Sequence, residues 1–321
     1  MDKKETVKYR EEAMELAAFI KESPTPFHVT ANIGVILEKE GFMPLQESRK
    51  WEMKAGGKYY VTRNHSSIIA FEIGEDPADY NFQIAASHSD SPTFKVKENA
   101  QMEVRGHYTK LNTEGYGGML CGPWFDRPLS LAGRAVVKEE GGLKECLVKI
   151  DRDLLMIPSL AIHMNREINK GVELNRQKDM IPVMALSETT DIKDTKNIWE
   201  TYLADKTGVG AENILDYDMF LYPVETPCVL GLNGELFSAG RLDNMTSVQA
   251  CVKGIKSNVP DDGFNMAVIY DSEEVGSGTK QGAGSVIIRN IIDRIFRKFG
   301  YDEETAECAL ADAVGLSVDV A

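Results

Sequence analysis

The sequence predicts an α/β protein in which a β-rich segment interrupts a single α/β domain. Three observations predict it. Helix-like and strand-like stretches alternate over residues 1–92 and again after Gly240, the rhythm of a sheet covered by helices. From about residue 93 to 235 strand-like alternation takes over, punctuated by Gly117-Gly118, Gly141-Gly142, Pro123, Pro128, Pro158 and Pro182. The length, 321 residues, corresponds to two domains of roughly 150 residues each.

The elements follow in order. Ala13, Leu16, Ala17 and Ile20 recur at helical spacing within residues 5–22, and Ser23-Pro24-Thr25-Pro26 stops that helix because proline cannot continue it. A second helix covers 29–41 and closes at Gly41. Strands are expected at 58–63, 67–73 and 82–88. The last of these, Phe82 to His88, is mostly small and apolar, as in a central buried strand. Residues 188–217 are polar and read as loops plus a helix. Beyond Gly240 come a helix at 243–257, a strand at 265–271, helices at 284–299 and 303–313, and a strand starting at Leu316 and ending in Asp319.

Composition narrows the function classes. Hydrophobic residues make up 43% and charged residues 27%, ordinary for a soluble globular protein. A net charge of −14 argues against a nucleic-acid partner, which would need basic side chains to neutralise phosphates. No run of about 18 apolar residues is present, so no membrane partner is expected. Met1 to Thr6 is charged without an apolar core, which points to a cytoplasmic protein. Five scattered cysteines without a C-x-x-C pair suit free thiols in a reducing compartment better than a thiolate zinc site.

Four segments carry candidate chemistry. His88-Ser89-Asp90 follows a buried strand; a histidine with a carboxylate two residues on is a plausible metal ligand with its orienting partner. Asp243 opens a helix, where capping explains it equally well. Asp271-Ser272-Glu273-Glu274 follows the apolar strand Met266 to Tyr270. Carboxylates crowded at that end of a strand repel one another unless a cation offsets them, and adjacent glutamates can divide ligation from proton transfer. Asp319 ends the last strand. Each segment alone also reads as an ordinary polar loop or cap. Together they place oxygen and imidazole donors at the ends of strands, a set that suits zinc, cobalt or manganese in a two-metal hydrolytic site.

These residues, with several longer runs, resemble the aspartyl aminopeptidase family, metallopeptidases within the wider group of co-catalytic zinc aminopeptidases. The likeness covers essentially all 321 residues. It runs through Ser23 to His28, Ser87 to Pro92, Tyr116 to Gly118, Trp124 to Arg127, Leu129 to Arg134, Ile157 to His163, Arg241 to Asn244 and Asp271 to Ser277, in that order. The resemblance implies a mixed-sheet catalytic domain over 1–92 and 236–321, with a β-rich dimerisation domain inserted over 93–235. It implies an aminopeptidase that removes N-terminal residues, acidic ones included, from peptides with two divalent ions per subunit, most often zinc. His88 would ligate one metal with Asp90 behind it, Asp243 would bridge, Glu274 would ligate, and Asp319 would ligate the other metal. Glu273 would be the general base. His163, which by its own surroundings reads as a packed strand or helix residue, would reach a neighbouring subunit's site and stabilise the tetrahedral intermediate. Homo-oligomers, dimers building a dodecamer, are implied as well.

Met119 and Pro128 depart from the family's Gly-Gly-Gly and Asp-Arg-Asp runs. The family's last ligand histidine lies in a C-terminal portion beyond Ala321. That leaves a rival expectation, a shortened and inactive member with a structural or assembly role, and a third, another aminopeptidase or carboxypeptidase of the same wider group. It also predicts exposed apolar surface around the strand that leads to Asp319.

Overall fold

The computed structural model describes residues 3–75, 82–186, 198–257 and 262–320. In chain order the elements are α1 (Lys3–Glu22), α2 (Pro26–Lys39), β1 (Met43–Leu45), β2 (Lys58–Arg63), β3 (Ser67–Ile73), β4 (Phe82–His88), β5 (Thr93–Val104), β6 (Tyr108–Tyr116), β7 (Leu129–Glu139), β8 (Gly142–Lys149), β9 (Val183–Leu186), α3 (Ile198–Thr207), β10 (Ile214–Pro223), β11 (Cys228–Leu230), β12 (Leu236–Ser238), α4 (Leu242–Ser257), β13 (Phe264–Tyr270), α5 (Ile287–Lys298), α6 (Glu303–Ala311) and β14 (Val314–Ser317). They form two compact units, one of Met1–Ser91 with Thr226–Ala321, the other of Pro92–Glu225.

The first unit is built on a mixed sheet of order β1-β2-β3-β13-β4-β14. β13 lies antiparallel to β3 and parallel to β4, and β14 is parallel to β4. Every residue of β3 is buried, as a strand covered on both faces requires. On one face Phe71, Phe82, Val268, Ile291, Ile295 and Phe296 pack under α5 and α6. On the other, Ile20, Ile33, Leu37, Ile68, Met245 and Val248 pack under α1, α2 and α4. The register pairs Tyr270 with His88, so the ends of β13 and β4 lie side by side. That one pairing brings the His88 segment to the Asp271–Glu274 turn.

The second unit is an antiparallel sheet of order β8-β7-β10-β5-β6-β9. Phe94, Leu131, Trp124, Met219, Leu221 and Trp199 fill its core. Gly133 lies where β10 approaches β7 closely: a Cβ there would stand 1.9 Å from the Asp218 carbonyl oxygen. Asp218 bridges two strands, its carboxylate 2.6 Å from Lys95 Nζ and 3.0 Å from Arg134 Nη2.

The structure departs from the sequence expectations in particular places. α2 begins at Pro26 rather than 29, because proline is tolerated in the first turn. β1, only three residues long, carries no readable alternation. Residues 214–217, expected as loop, already pair with β7 in β10; the preceding 187–197 lie outside the described residues. β4 is less buried than a central strand, with Ile84, Ala85 and Ala86 only partly buried, because its neighbour β14 is the sheet edge. A groove of about 450 Å³ runs there between α4 and β14, lined by Ala85, Ala250, Gly254, Val314 and Leu316. All four residues of β14 are exposed, Val314 at 66% and Leu316 at 61%. β14 starts at Val314 rather than Leu316 and ends at Ser317, so Asp319 lies beyond the strand. The hairpin β11–β12 belongs to the first unit.

Candidate active site

The floor of the site is the segment His88-Ser89-Asp90-Ser91 at the end of β4. Each of its residues fastens a different part of the chain. The Ser89 N–H and Oγ donate to the Tyr270 carbonyl at 2.9 and 3.2 Å. Asp90, 1% exposed, accepts the Glu273 N–H on Oδ1 and the Glu274 N–H on Oδ2, both at 3.1 Å. Ser91 Oγ donates to the Asp243 carbonyl at 3.1 Å. The two backbone amides that Asp90 receives belong to a 3₁₀ turn, Glu273–Val275, entered through Ser272 in the left-handed region at φ 66. Asp271, 7% exposed, holds that entry by accepting the Ser272 N–H at 2.7 Å.

His88 is buried at 4% exposure, and acidic side chains surround its ring. Nδ1 lies 3.3 Å from Asp90 Oδ1. Nε2 lies 3.3 Å from Asp243 Oδ1, 3.4 Å from Asp319 Oδ1 and 3.9 Å from Glu273 Oε2. Asp243, Glu273 and Asp319 are about half exposed, so the buried imidazole sits under an accessible ring of carboxylates. His88, Asp243 and Glu274 each offer a ligand atom, and these atoms lie within 4.8 Å of one another.

Electrostatics bears on what the ring can hold. Burial works to lower the His88 pKa, but the carboxylates of Asp90, Glu273 and Asp243 outweigh it and raise it to about 9. Burial pushes the Glu274 carboxyl up to about 7, and repulsion from Asp90 and Asp243 adds to it. Asp243 is raised too, by burial above all, with His88 opposing and Asp319 and Asp90 reinforcing. Burial raises Asp271 to about 6. Carboxylates crowded this closely around one imidazole are short of positive charge. A divalent cation supplies it, and one imidazole nitrogen with several carboxylate oxygens is a donor set for zinc and its neighbours rather than for calcium or magnesium. The residues therefore fit a metal.

The sequence profile described as "Aminopeptidase I zinc metalloprotease (M18)" matches residues 19–321. The chain belongs to the M18 aminopeptidase family. A "Probable M18 family aminopeptidase 2" of Clostridium acetobutylicum is 41% identical over 312 residues, 96% of this chain and 72% of the relative. Among solved structures, Ape4 in complex with Nbr1 superposes with a TM-score of 0.92 at 32% identity, covering all of this chain and 65% of that one. The mApe1 dodecamer of S. cerevisiae gives 0.79 at 26% identity, covering 98% and 72%. The M18 family is one of zinc metalloproteases, and the mixed α/β architecture is shared with these relatives.

Within the M18 fold the structure brings six of the seven residues singled out from sequence into one place: His88, Asp90, Asp243, Glu273, Glu274 and Asp319. Asp243 is not a simple helix cap. It stands at φ −79 and ψ 109 at the broken start of α4, joined to Asn244 by a cis peptide, and its carboxylate faces His88. His163 belongs to the second unit. It is exposed in the 3₁₀ turn Ile162–Met164, not packed in a strand or helix, and its neighbours Leu160, Ile162 and Met164 are also exposed. Asp126, at φ 54, anchors the loop that leads there by accepting the Ser159 N–H at 2.9 Å and its hydroxyl. Sequence reasoning missed the structural work of Ser89, Ser91, Asp271 and Asn244. Their signal was only adjacency to residues of evident chemistry.

Proposed function

We propose that the chain hydrolyses the N-terminal residue from peptides with two divalent cations, zinc first among them. The convergence of His88, Asp243 and Glu274 within 4.8 Å, with Glu273 and Asp319 beside them, carries this reading. His88 and Asp319 would hold one cation and Glu274 the other, with Asp243 available to both. When bound, the cations acidify a water and polarise the scissile carbonyl.

Glu273 is half exposed and accepts the proton of the attacking water on its carboxylate, then passes it to the leaving amine. Asp90 keeps that carboxylate in place through the Glu273 backbone N–H and holds the His88 ring at Nδ1. His163 of the second unit donates to the oxyanion in a neighbouring subunit, with Pro92–Glu225 as the dimerising unit of a homo-oligomer. The solved mApe1 dodecamer of a relative supports such an assembly. Peptides with acidic N-terminal residues are included among its substrates. The protein is cytoplasmic; among the described residues no helix is long and apolar enough to cross a membrane.

The test combines metal analysis with a panel of peptides bearing free Asp, Glu, Leu or Ala N-termini and their N-acetylated forms. Zinc near two ions per chain and cleavage of the free peptides alone are expected. Cleavage of N-acetylated peptides would favour another activity of the wider group. Bound metal without turnover of any peptide would favour the assembly role.

A further inference from the structure

The Asn244 side chain is 0% exposed, one residue after Asp243. Its Nδ2 donates to the Val318 carbonyl at 3.0 Å, one residue before Asp319. Val318 is fastened on its other side as well, its N–H donating to the Ala86 carbonyl at 2.8 Å. The peptide that precedes Asp319 is thus held between β4 and the start of α4. This matters because β14 is a short edge strand with exposed residues, and Asp319 lies two residues beyond its end. Within that stretch the Val320 N–H donates to Asp319 Oδ1 at 2.8 Å, a local bond that orients the carboxylate but does not tie it to α4.

The other half of the Asn244 amide has no partner: among the described residues Oδ1 is buried and accepts nothing. Burying an amide with an unsatisfied oxygen costs stability, so packing alone would be served better by an apolar residue. The bond to Val318 is what the amide supplies. It ties together the two segments whose carboxylates both face His88 Nε2, Asp243 at 3.3 Å and Asp319 at 3.4 Å.

We infer that Asn244 is a positioning residue that sets the separation of Asp243 and Asp319 around His88, and through it the affinity for the cation they share. This rests on the reading that His88, Asp243 and Asp319 hold a divalent ion. The amide acts on no substrate; it acts through the two carboxylates.

The test is titration of the metal-free, full-length chain with Co²⁺, followed by calorimetry and by the visible absorption of bound cobalt. Asn244→Ala and Asn244→Asp should each weaken one binding step ~10-fold or more, as removal of a group behind a ligand does, and alter the cobalt spectrum. Metal-free protein should keep the wild-type circular dichroism spectrum and melt at a lower temperature, since each variant removes a buried hydrogen bond. The aspartate variant is the sharper one: it keeps the side chain's size, and its added negative charge would by itself tighten a cation. Weakening by that variant therefore isolates the lost donor.

Asp319→Asn should weaken the same step. Wild-type affinity for both ions in both Asn244 variants overturns the role of Asn244 while leaving the site intact. Failure of both variants to fold overturns it too, by making the amide a structural requirement. A wild-type chain that binds no Co²⁺, or an Asp319→Asn variant that binds both ions normally, overturns the site reading itself.

Discussion

Glu273 and Glu274 are adjacent, yet the fold gives them different surroundings. Glu274 is drawn into partial burial against Asp90 and Asp243, which suits a ligand, while Glu273 stays half exposed, which suits proton transfer. Glu273→Gln should retain metal and lose turnover by about 10²–10⁴-fold; kcat measured on protein of known metal content checks it, and near-normal kcat would remove Glu273 as the base. Asp90→Asn should weaken metal binding about 10–100-fold because it disturbs His88 and the Glu273–Glu274 amides together. Chelator competition measures this, and unchanged affinity would count against that bracing role. The six converging residues were legible in sequence because each sits at a strand or helix end with a chemistry-bearing side chain. Ser91 and Asn244 were not, because they act through a hydroxyl or amide aimed at a backbone carbonyl three-dimensionally near but distant in sequence, Val318 in the case of Asn244.

At the scale of elements, β10 is tied to its neighbours by Asp218. Burial works to raise that carboxyl, but Lys95 and Arg134 win and hold it below the usual carboxylate range. A depressed folded-state pKa gives stability that is present above the unfolded value near pH 4 and is lost as pH falls through the folded value. Asp218→Asn should therefore cost about 1–3 kcal/mol near pH 7, with the difference shrinking below about pH 4. Denaturant unfolding at several pH values checks it, and a constant difference would rule out the ion pairs as its source.

β14 offers a different expectation. Its exposed Val314 and Leu316 border a groove and an open strand edge, a template for association. Leu316→Lys should reduce self-association in sedimentation experiments while changing stability by no more than about 0.5 kcal/mol; association unchanged by it would place the contact elsewhere. The apolar composition of β4 resembled that of a fully covered strand, since sequence records a strand's residues but not whether its neighbour is the last in the sheet.

For the whole molecule, the sequence texture changes near residues 93 and 235, while the second compact unit runs from Pro92 to Glu225; the far boundary differs because the short exposed strands of the β11–β12 hairpin look alike in either unit. All the converging carboxylates and His88 belong to the first unit. Zinc held at 100 times its dissociation constant should thus stabilise that unit by about 2.7 kcal/mol. Scanning calorimetry with and without chelator should show the shift in its transition, and a zinc-independent trace would speak against a metal site there.

The position of β13 bears on how the chain is made. It fills the space between β3 and β4, two strands synthesised long before it, and the whole Pro92–Glu225 unit is translated in between. About 180 residues separate paired Tyr270 from His88, which at 5–20 residues per second is on the order of 10–40 s of synthesis. Until β13 emerges, β3 and β4 lack the strand that joins them, and the antiparallel unit is complete by the time β13 is translated. The sheet can therefore close only when β13, the strand that leads into the Glu273–Glu274 turn, arrives.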